Sequence, residues 1–170
     1  MKQSLVILAL IGIAAALSAV AVAARSDDGD KQAIAALEAR IVKGVVAKDA
    51  SAIMANYAKG DSLVVFDVVP PLECRGQKAY LKNWQSALAG CADKPTMKID
   101  GLVIETAGTL AYSRSIQRFT CTDSKGAKAA LTLRATDIYR KQDGKWLIVH
   151  EHYSVPVDLD TAKADLNSKS

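Results

Sequence analysis

Asp67 is the residue whose sequence neighbours best suit it to act as a general base. It follows the apolar run Leu63–Phe66 and precedes Val68, so a single carboxyl group stands at the end of an apolar strand. Burial there would raise the pKa of the carboxyl group, as a general base working near neutral pH requires. Two other interpretations stay open: Asp67 could bind backbone amides of the turn before Pro70, or it could pair with Arg134.

The two histidines of the chain, His150 and His152, are spaced so that both lie on one face of a strand. If that face lines a pocket together with Trp146, a histidine there can relay a proton or hydrogen-bond to Asp67. We therefore predict His152 as a catalytic residue and His150 and Trp146 as ligand contacts. The alternative is that both histidines are structural. No metal site is predicted, because a closed zinc site requires more nitrogen or sulfur ligands than this sequence supplies.

Polar residues alternate along two further predicted strands. Arg134 and Thr136 share one face, so Arg134 is predicted either to clamp an acidic ligand or to pair with a carboxylate, and Thr136 to assist as a donor. Gln117 follows Ser113 and Ser115 on one face of another strand and is predicted to contact the ligand, a solvent-facing row being the alternative. Four aromatic side chains are predicted at the pocket or in the core beside it: Tyr57, Phe66, Trp84 and Trp146.

These residues need elements that bring them together, and the spacing of apolar residues predicts an α+β chain. Apolar residues recur at helical spacing in the first half, and from Thr96 onward their period becomes two. The predicted helices cover residues 31–47, 50–58 and 77–89, and the predicted strands cover residues 62–69, 96–106, 109–121, 127–141 and 145–156. Turn sequences such as Asp143-Gly144 indicate an antiparallel meander. We therefore predict three helices packed on a curved antiparallel sheet, in the order α-α-β-α-β-β-β-β.

Several short strings, taken in order, carry a resemblance to a known family. They are Asn56-Tyr57-Ala58, Val65-Phe66-Asp67 followed by Pro70-Pro71 and Gly76, Arg134-Ala135-Thr136, and Gly144-Lys145-Trp146 leading into residues 150–156. In their order and spacing the chain resembles the nuclear transport factor 2-like superfamily, in particular its SnoaL-like and ketosteroid isomerase-like branch. The resemblance implies a cone-shaped fold that encloses one apolar pocket, usually in a homodimer. It implies little about chemistry, because the same cone serves isomerases, cyclases, dehydratases and noncatalytic binding modules.

The resemblance also bears on individual residues. In ketosteroid isomerase an Asp base moves a proton next to a carbonyl while two donors hold the oxyanion, and Asp67 lies where that base falls. The donors do not carry over, because Ile41 stands where the isomerase has its tyrosine and Thr136 where it has its protonated acid. Tyr57 and Thr136 are the candidates to replace them.

Residues 1–23 have the pattern of a secretory signal peptide. A basic start precedes the apolar run Leu5–Val22, and Ala21 and Ala23 fit a small-residue cleavage pattern. We predict cleavage after Ala23 or Ala24 and a periplasmic or secreted protein without stable membrane anchoring. An uncleaved anchor is the alternative, since the run is just long enough to span a bilayer. The mature chain is then predicted as a domain over residues 24–157 and a polar tail over residues 158–170.

Export would permit disulfides, and the chain has three cysteines. The predicted hairpin that turns near residues 106–108 places Cys121 opposite about residue 94, within reach of Cys91. We therefore predict a Cys91–Cys121 disulfide with Cys74 free. The alternative is three buried thiols that act as small apolar side chains.

Composition and missing motifs narrow the function classes. Half of the 170 residues are apolar and 24% are charged, which excludes a disordered chain, and the net charge of +4 has no basic cluster that would indicate nucleic acid. No glycine-rich phosphate loop and no nucleophile elbow occur, and no cofactor is predicted. We predict an exported protein that binds a small hydrophobic or amphiphilic molecule, with isomerase- or lyase-type proton transfer next to a carbonyl and Asp67 as the base. The alternative is a noncatalytic binding or dimeric interaction module.

Overall fold

The computed structural model describes residues 27–168. Its helices are α1 over residues 27–47, α2 over Ala50–Met54 and α3 over Gln77–Ala89, with one 3₁₀ turn at Gly60–Ser62. Asp49 begins α2 by accepting a hydrogen bond from the Ala52 amide at 2.9 Å. α1 packs through the predicted apolar stripe, whose members are at most 2% exposed: Ile34, Leu37, Ile41 and Val45. The predicted signal peptide, residues 1–23, lies outside the described residues.

α2 is shorter than the predicted helix over residues 50–58, because the following backbone pairs with the sheet. The Ile148 amide donates to the Asn56 carbonyl at 3.0 Å, and the Ala58 amide donates to the Ile148 carbonyl at 2.8 Å. These bonds replace the helical bonds that the segment would otherwise make. In the part of the chain that the structure describes, no helix is long and apolar enough to cross a membrane.

Six strands form one sheet, with the order β2-β1-β6-β5-β4-β3 and with β1 parallel to β6. The strands are β1 Val64–Phe66, β2 Cys74–Arg75, β3 Thr96–Ala107, β4 Leu110–Thr122, β5 Lys128–Gln142 and β6 Lys145–Ser154. Strands β3 to β6 form the predicted antiparallel meander. The first strand is shorter than the predicted residues 62–69, since the chain leaves the sheet at Asp67, and β2 was not predicted. The register shift between Asp100 and Val103 contributes to the curvature.

The two faces of this sheet have different environments. We call the face that the helices cover the inner face and the opposite one the outer face. On β5, Leu133, Ala135 and Asp137 are buried on the inner face, whereas Arg134 and Thr136 are exposed on the outer face. The core lies between the inner face and the helices, with Tyr57, Tyr139 and Ile148 among its largest fully buried side chains.

A bulge in β6 decides which of its residues turn inward. Tyr139 pairs with Ile148 but Ile138 pairs with His150, so Val149 is an extra residue on β6. The bulge reverses the alternation, so that Ile148 and Glu151 are both buried while His150 turns toward the outer face.

Cys91 and Cys121 form a disulfide with their Cα atoms 5.5 Å apart, and Cys74 is free and buried. This is the pairing that the hairpin register predicts. The segment after β6 forms a short exposed hairpin, β7 Val157–Asp158 with β8 Lys163–Ala164. Its end is tied to the sheet by the Thr132 amide, which donates to the Leu166 carbonyl at 2.7 Å.

Candidate functional site

A cavity of about 210 Å³ opens between α3 and the inner face of the sheet. Its walls are mostly apolar and include Trp84, Met97, Phe119, Leu131 and Leu133. A few polar side chains interrupt them, which is the usual composition of a small-molecule site. These polar residues are Asp67, Tyr80, Asn83, Gln117 and Tyr153.

Asp67 lies where the chain leaves β1, and its half-buried side chain lines the cavity. The carboxylate accepts a hydrogen bond from the Val68 amide at 2.7 Å, and the Val69 amide also contributes. Burial raises the pKa of Asp67 above its usual range, and these two amides oppose the shift. Within residues 27–168, no cation pairs with Asp67, and Arg134 lies on the outer face. Asp67 thus combines a cavity position with the turn contact that the sequence left open.

Glu151 forms the centre of a buried cluster behind the cavity. It is 2% exposed and accepts hydrogen bonds from Tyr57 at 2.8 Å, from Tyr153 at 2.9 Å and from Tyr80. We call these four residues the tyrosine–glutamate cluster. Burial raises the pKa of Glu151 to about 7, although the three hydroxyl groups oppose the shift by stabilising the carboxylate. Tyr80 and Tyr153 also line the cavity, so the cluster is in direct contact with whatever occupies it.

Two more buried carboxyl groups lie nearby on a second hydrogen-bond chain. The Tyr139 hydroxyl donates to Glu38 at 2.7 Å and lies 2.8 Å from the Ser113 hydroxyl, which is 3.2 Å from Asp137 Oδ2. Burial raises the pKa of both carboxyl groups, and the neighbouring Glu151 adds to the shift at Asp137. No ion pair within the described chain involves either of them. Burial therefore favours the protonated form of these carboxyl groups.

The cavity also has unused hydrogen-bond donors. Gln117 accepts from the Tyr153 hydroxyl at 3.2 Å through Oε1, and among residues 27–168 its amide nitrogen has no partner. Trp84 Nε1 is buried and likewise has no partner within that range. The Gln117 amide nitrogen is therefore available to a ligand that carries acceptor atoms, whereas Trp84 contributes its ring to the cavity wall.

The structure brings Asp67, Trp84 and Gln117 together at the cavity, as predicted. Tyr57 lies behind it and is connected to it through its hydrogen bond to Glu151 and its edge-to-face contact with Tyr80. Trp146 is buried elsewhere, with its Nε1 donating to Asp30 at 2.9 Å.

The other predicted site residues lie on the outer face, which corrects the predictions that they line the pocket. These are Phe66, Arg134, Thr136, His150 and His152. Two physical reasons account for this. On β5 the neighbouring Leu133 and Ala135 take the inner positions, and on β6 the bulge at Val149 reverses the alternation.

The two histidines instead form an aromatic group on the outer face. The Phe66 ring packs edge to face against His150 and His152, with ring centroids 4.9 Å and 5.7 Å away. His150 Nδ1 lies 2.9 Å from the Val64 carbonyl oxygen, which ties it to β1. In the described ranges, no group of three or more His, Cys, Asp or Glu side chains is arranged to hold a metal ion.

Sequence reasoning predicted Tyr57 as a site residue but missed the other acidic and phenolic residues of the interior. Two signals were present. Glu38 stands on the buried stripe of α1 beside Leu37, where a carboxyl group is unexpected. Four of the five tyrosines occur on inward-facing positions, and all four hydroxyl groups bond within the interior: Tyr57, Tyr80, Tyr139 and Tyr153.

Comparisons with known proteins agree on one family. The pattern of the SnoaL-like domain matches residues 34–158. The structure is similar to a nuclear transport factor 2-like protein of unknown function from Pseudomonas putida, with 30% sequence identity, 84% of this chain and 98% of that chain covered, and a TM-score of 0.75. A comparison with curated proteins gives no match.

Two further structures share the fold. One is a nuclear transport factor 2-like superfamily protein from Salmonella enterica, with 22% identity, 79% of this chain and 96% of that chain covered, and a TM-score of 0.68. The other is a nuclear transport factor 2-like protein with a cystatin-like fold from Novosphingobium aromaticivorans, with 18% identity, 84% and 92% covered, and a TM-score of 0.68.

Proposed function

This chain belongs to the SnoaL-like family of the nuclear transport factor 2-like superfamily, and from that premise we propose that it binds a small hydrophobic or amphiphilic molecule in its cavity and moves a proton next to a carbonyl group of that molecule. One observation carries the proposal: the Asp67 carboxyl group lies half-buried in an apolar cavity, and no cation among residues 27–168 pairs with it. Such a carboxylate is more basic than an exposed one.

The rest of the cavity suits this chemistry. Apolar walls such as Trp84 and Phe119 bind the body of the ligand and exclude water, while Gln117 offers an amide donor to its polar end. In the proposed step Asp67 takes a proton from the carbon next to the carbonyl, and the same proton is returned at another position or exchanged with solvent. Isomerases, dehydratases and cyclases share this step, and it requires no organic cofactor.

Deuterium exchange tests the proposal most directly. The protein is incubated in heavy water with a panel of enolisable ketones that includes ketosteroids, and loss of the proton signal is followed by NMR. We expect Asp67→Asn to lower the exchange rate by about 100-fold or more, which is the usual contribution of a general base. Asp143→Asn, at an exposed turn, is the matched control and should exchange at the parental rate.

Exchange that Asp67→Asn leaves unchanged would refute the catalytic role. Ligand binding without exchange, in the parental protein and the variant alike, would favour a noncatalytic binding module with the same cavity. The ligand that copurifies with the protein would then be identified by mass spectrometry.

We also propose that the protein is a homodimer that associates through the outer face. Tyr112, Ile138, His150 and Val64 pair in one continuous row across four strands, and Tyr112 and Ile138 are 45% and 38% exposed. With Phe66 at its side, this row is a contiguous apolar patch of the kind that marks an interface. A second copy is the occupant that we favour, since homodimers with twofold symmetry are the most common oligomers.

Sedimentation velocity tests the dimer. We expect the parental protein to sediment as a dimer and Ile138→Glu to sediment as a folded monomer, while Leu159→Glu, at a 92% exposed position in the turn between β7 and β8, stays dimeric. A parental monomer would contradict the proposal.

The disulfide and the apolar segment at residues 1–23 support a proposal on location, namely that the protein works in the periplasm or outside the cell. Intact mass of the protein recovered from a periplasmic or medium fraction tests it.

A further inference from the structure

The tyrosine–glutamate cluster has a property that the proposed function does not use. A phenol carries one hydrogen. Tyr57 and Tyr80 direct theirs to Glu151, and Tyr153 shares its own between Glu151 at 2.9 Å and Gln117 Oε1 at 3.2 Å. Tyr80 and Tyr153 line the cavity, so while Glu151 is ionised they offer only oxygen lone pairs to a ligand. A carbonyl oxygen, itself an acceptor, finds no donor in them.

Protonation of Glu151 changes this arrangement. A carboxylic acid has one O–H donor of its own, so the phenol beside the protonated oxygen must accept instead of donate. Tyr80 is the partner of Oε2, whereas Tyr57 and Tyr153 share Oε1. A proton on Oε2 therefore leaves two bonds in place and releases the hydrogen of Tyr80 alone. That hydrogen can then point into the cavity, which Tyr80 lines.

We propose that Glu151 holds a solvent-derived proton in the ligand-bound state and thereby allows Tyr80 to donate a hydrogen bond to the carbonyl oxygen of an uncharged ligand. Tyr80 keeps its own proton and touches the ligand, and Glu151 is a positioning residue behind it. The proposal rests on the proposed function for the ligand class, a carbonyl compound, and adds the protonation state in which the site binds it.

The surroundings of Glu151 favour this proton. From each element packed around it, the facing titratable groups are acids or phenols, and its interactions within the described residues include no cation. These acids and phenols are Glu38 of α1, Tyr57 after α2, Tyr80 of α3, Asp137 and Tyr139 of β5, Tyr153 of β6, and Asp67, which lies near Tyr80. Burial raises the pKa of Glu151 to about 7, which places the change within the neutral pH range.

A pair of matched probes tests the proposal on the whole protein. Acetophenone and ethylbenzene have nearly the same shape, but only acetophenone has a carbonyl oxygen. Their affinities are measured by NMR titration across the neutral range. The ratio of the two affinities isolates the contacts to the carbonyl oxygen, because the apolar walls act on both probes, and its change in Tyr80→Phe measures the part that Tyr80 contributes.

In the parental protein we expect this ratio to fall about tenfold between about pH 6 and about pH 8, as the fraction of protein with a protonated Glu151 falls. Glu151→Gln should make the ratio independent of pH, since an amide donates to Tyr80 at any pH. Tyr80→Phe should lower the ratio at about pH 6 to its value at about pH 8 and remove its pH dependence, because the donor that protonation of Glu151 releases is absent.

Tyr57→Phe is the control for a structural effect. It removes a contact to Glu151 but no cavity surface, so the preference for acetophenone should persist. The midpoint of the pH dependence should rise, because the carboxylate loses one stabilising hydrogen bond.

The outcomes separate this proposal from the proposed function. A ratio that is independent of pH in the parental protein, or unchanged in Tyr80→Phe, overturns the inference even if ketone exchange occurs. A pH-dependent ratio without exchange supports the inference and removes only the catalytic part of the proposed function. Binding of neither probe overturns both.

Discussion

The inner and outer faces of strands β5 and β6 use residues that are adjacent in sequence for opposite purposes. Asp137 and Glu151 are at most 2% exposed on the inner face, whereas their neighbours Thr136 and His152 are exposed on the outer face. A shift of one position along either strand exchanges a buried carboxyl group for a surface side chain. The comparison shows that the chemistry of this site depends on strand alternation more than on which polar residues the strands contain.

The interior and the edge of the molecule also differ in how negative charge is compensated. Beside α1, Lys141 lies 2.6 Å from the partly exposed Asp30 and holds the pKa of that carboxyl group below its usual range. In the interior no cation reaches Glu151 or Asp137 within the described chain, and burial raises the pKa of both. The salt bridge therefore favours the anion at Asp30, whereas burial favours the neutral acid at Glu151 and Asp137.

Among the changes that test this comparison, removal of the Glu151 carboxyl group should have the largest effect on stability. We expect Glu151→Ala to lower the free energy of unfolding by roughly 3–5 kcal/mol, because three buried phenols lose their acceptor. Urea denaturation at about pH 6 measures it. Thr136→Ala, on the outer face, is the reference. Equal losses of unfolding free energy in the two variants would show that the tyrosine–glutamate cluster does not stabilise the fold more than an outer-face side chain does.

The pH dependence of stability should be the next largest effect. Because the pKa of Glu151 is about 7 in the folded protein and 4.5 ordinarily, the native state binds more protons than the unfolded state between these values. Stability should therefore fall as the pH rises through this window, by about 3 kcal/mol from Glu151. Glu151→Gln should remove that part of the slope in denaturation curves across the range. A parental protein that gains stability over the same window would contradict the shift.

Two serines on β4 offer a finer comparison within the inner face. Ser113 hydrogen-bonds in the chain between Tyr139 and Asp137, whereas the buried Ser115 hydroxyl has no partner among residues 27–168. Ser113→Ala should cost about 1 kcal/mol or more, and Ser115→Ala should be neutral or stabilising. Thermal unfolding of both variants measures the two stability changes. A larger loss in Ser115→Ala than in Ser113→Ala would mean that the hydrogen-bond chain does not stabilise the core.

The smallest effect is expected for a histidine that the sequence favoured. His152→Ala, on the exposed outer face, should change the stability of the monomer by no more than about 0.5 kcal/mol and leave ketone exchange unchanged. Stability measured in the Ile138→Glu background avoids any contribution from the dimer. A loss of ketone exchange would show that His152 takes part in the reaction, and it would contradict the assignment of the site to the inner face.

Much of the fold could be predicted because its signals are local. The stripe of α1, the ends of α3 and the turns of the meander each depend on residues close in sequence, and the hairpin register was sufficient to place Cys91 beside Cys121. Asp67 could also be found, because its apolar neighbours precede it directly. The cluster around Glu151 could not, since its phenols come from α3, β6 and the segment after α2.

The sequence by itself determined the family, the order of the helices and of the four long strands, the disulfide and the carboxyl group at the end of the first strand. Only the tertiary structure decided which face of β6 turns inward, because one extra residue at Val149 reverses an alternation that has no other mark in the sequence. It also decided that Glu38, Asp137 and Glu151 share one interior without a cation among the described residues. Shared burial, a property of packing between distant segments, sets the protonation state of these groups.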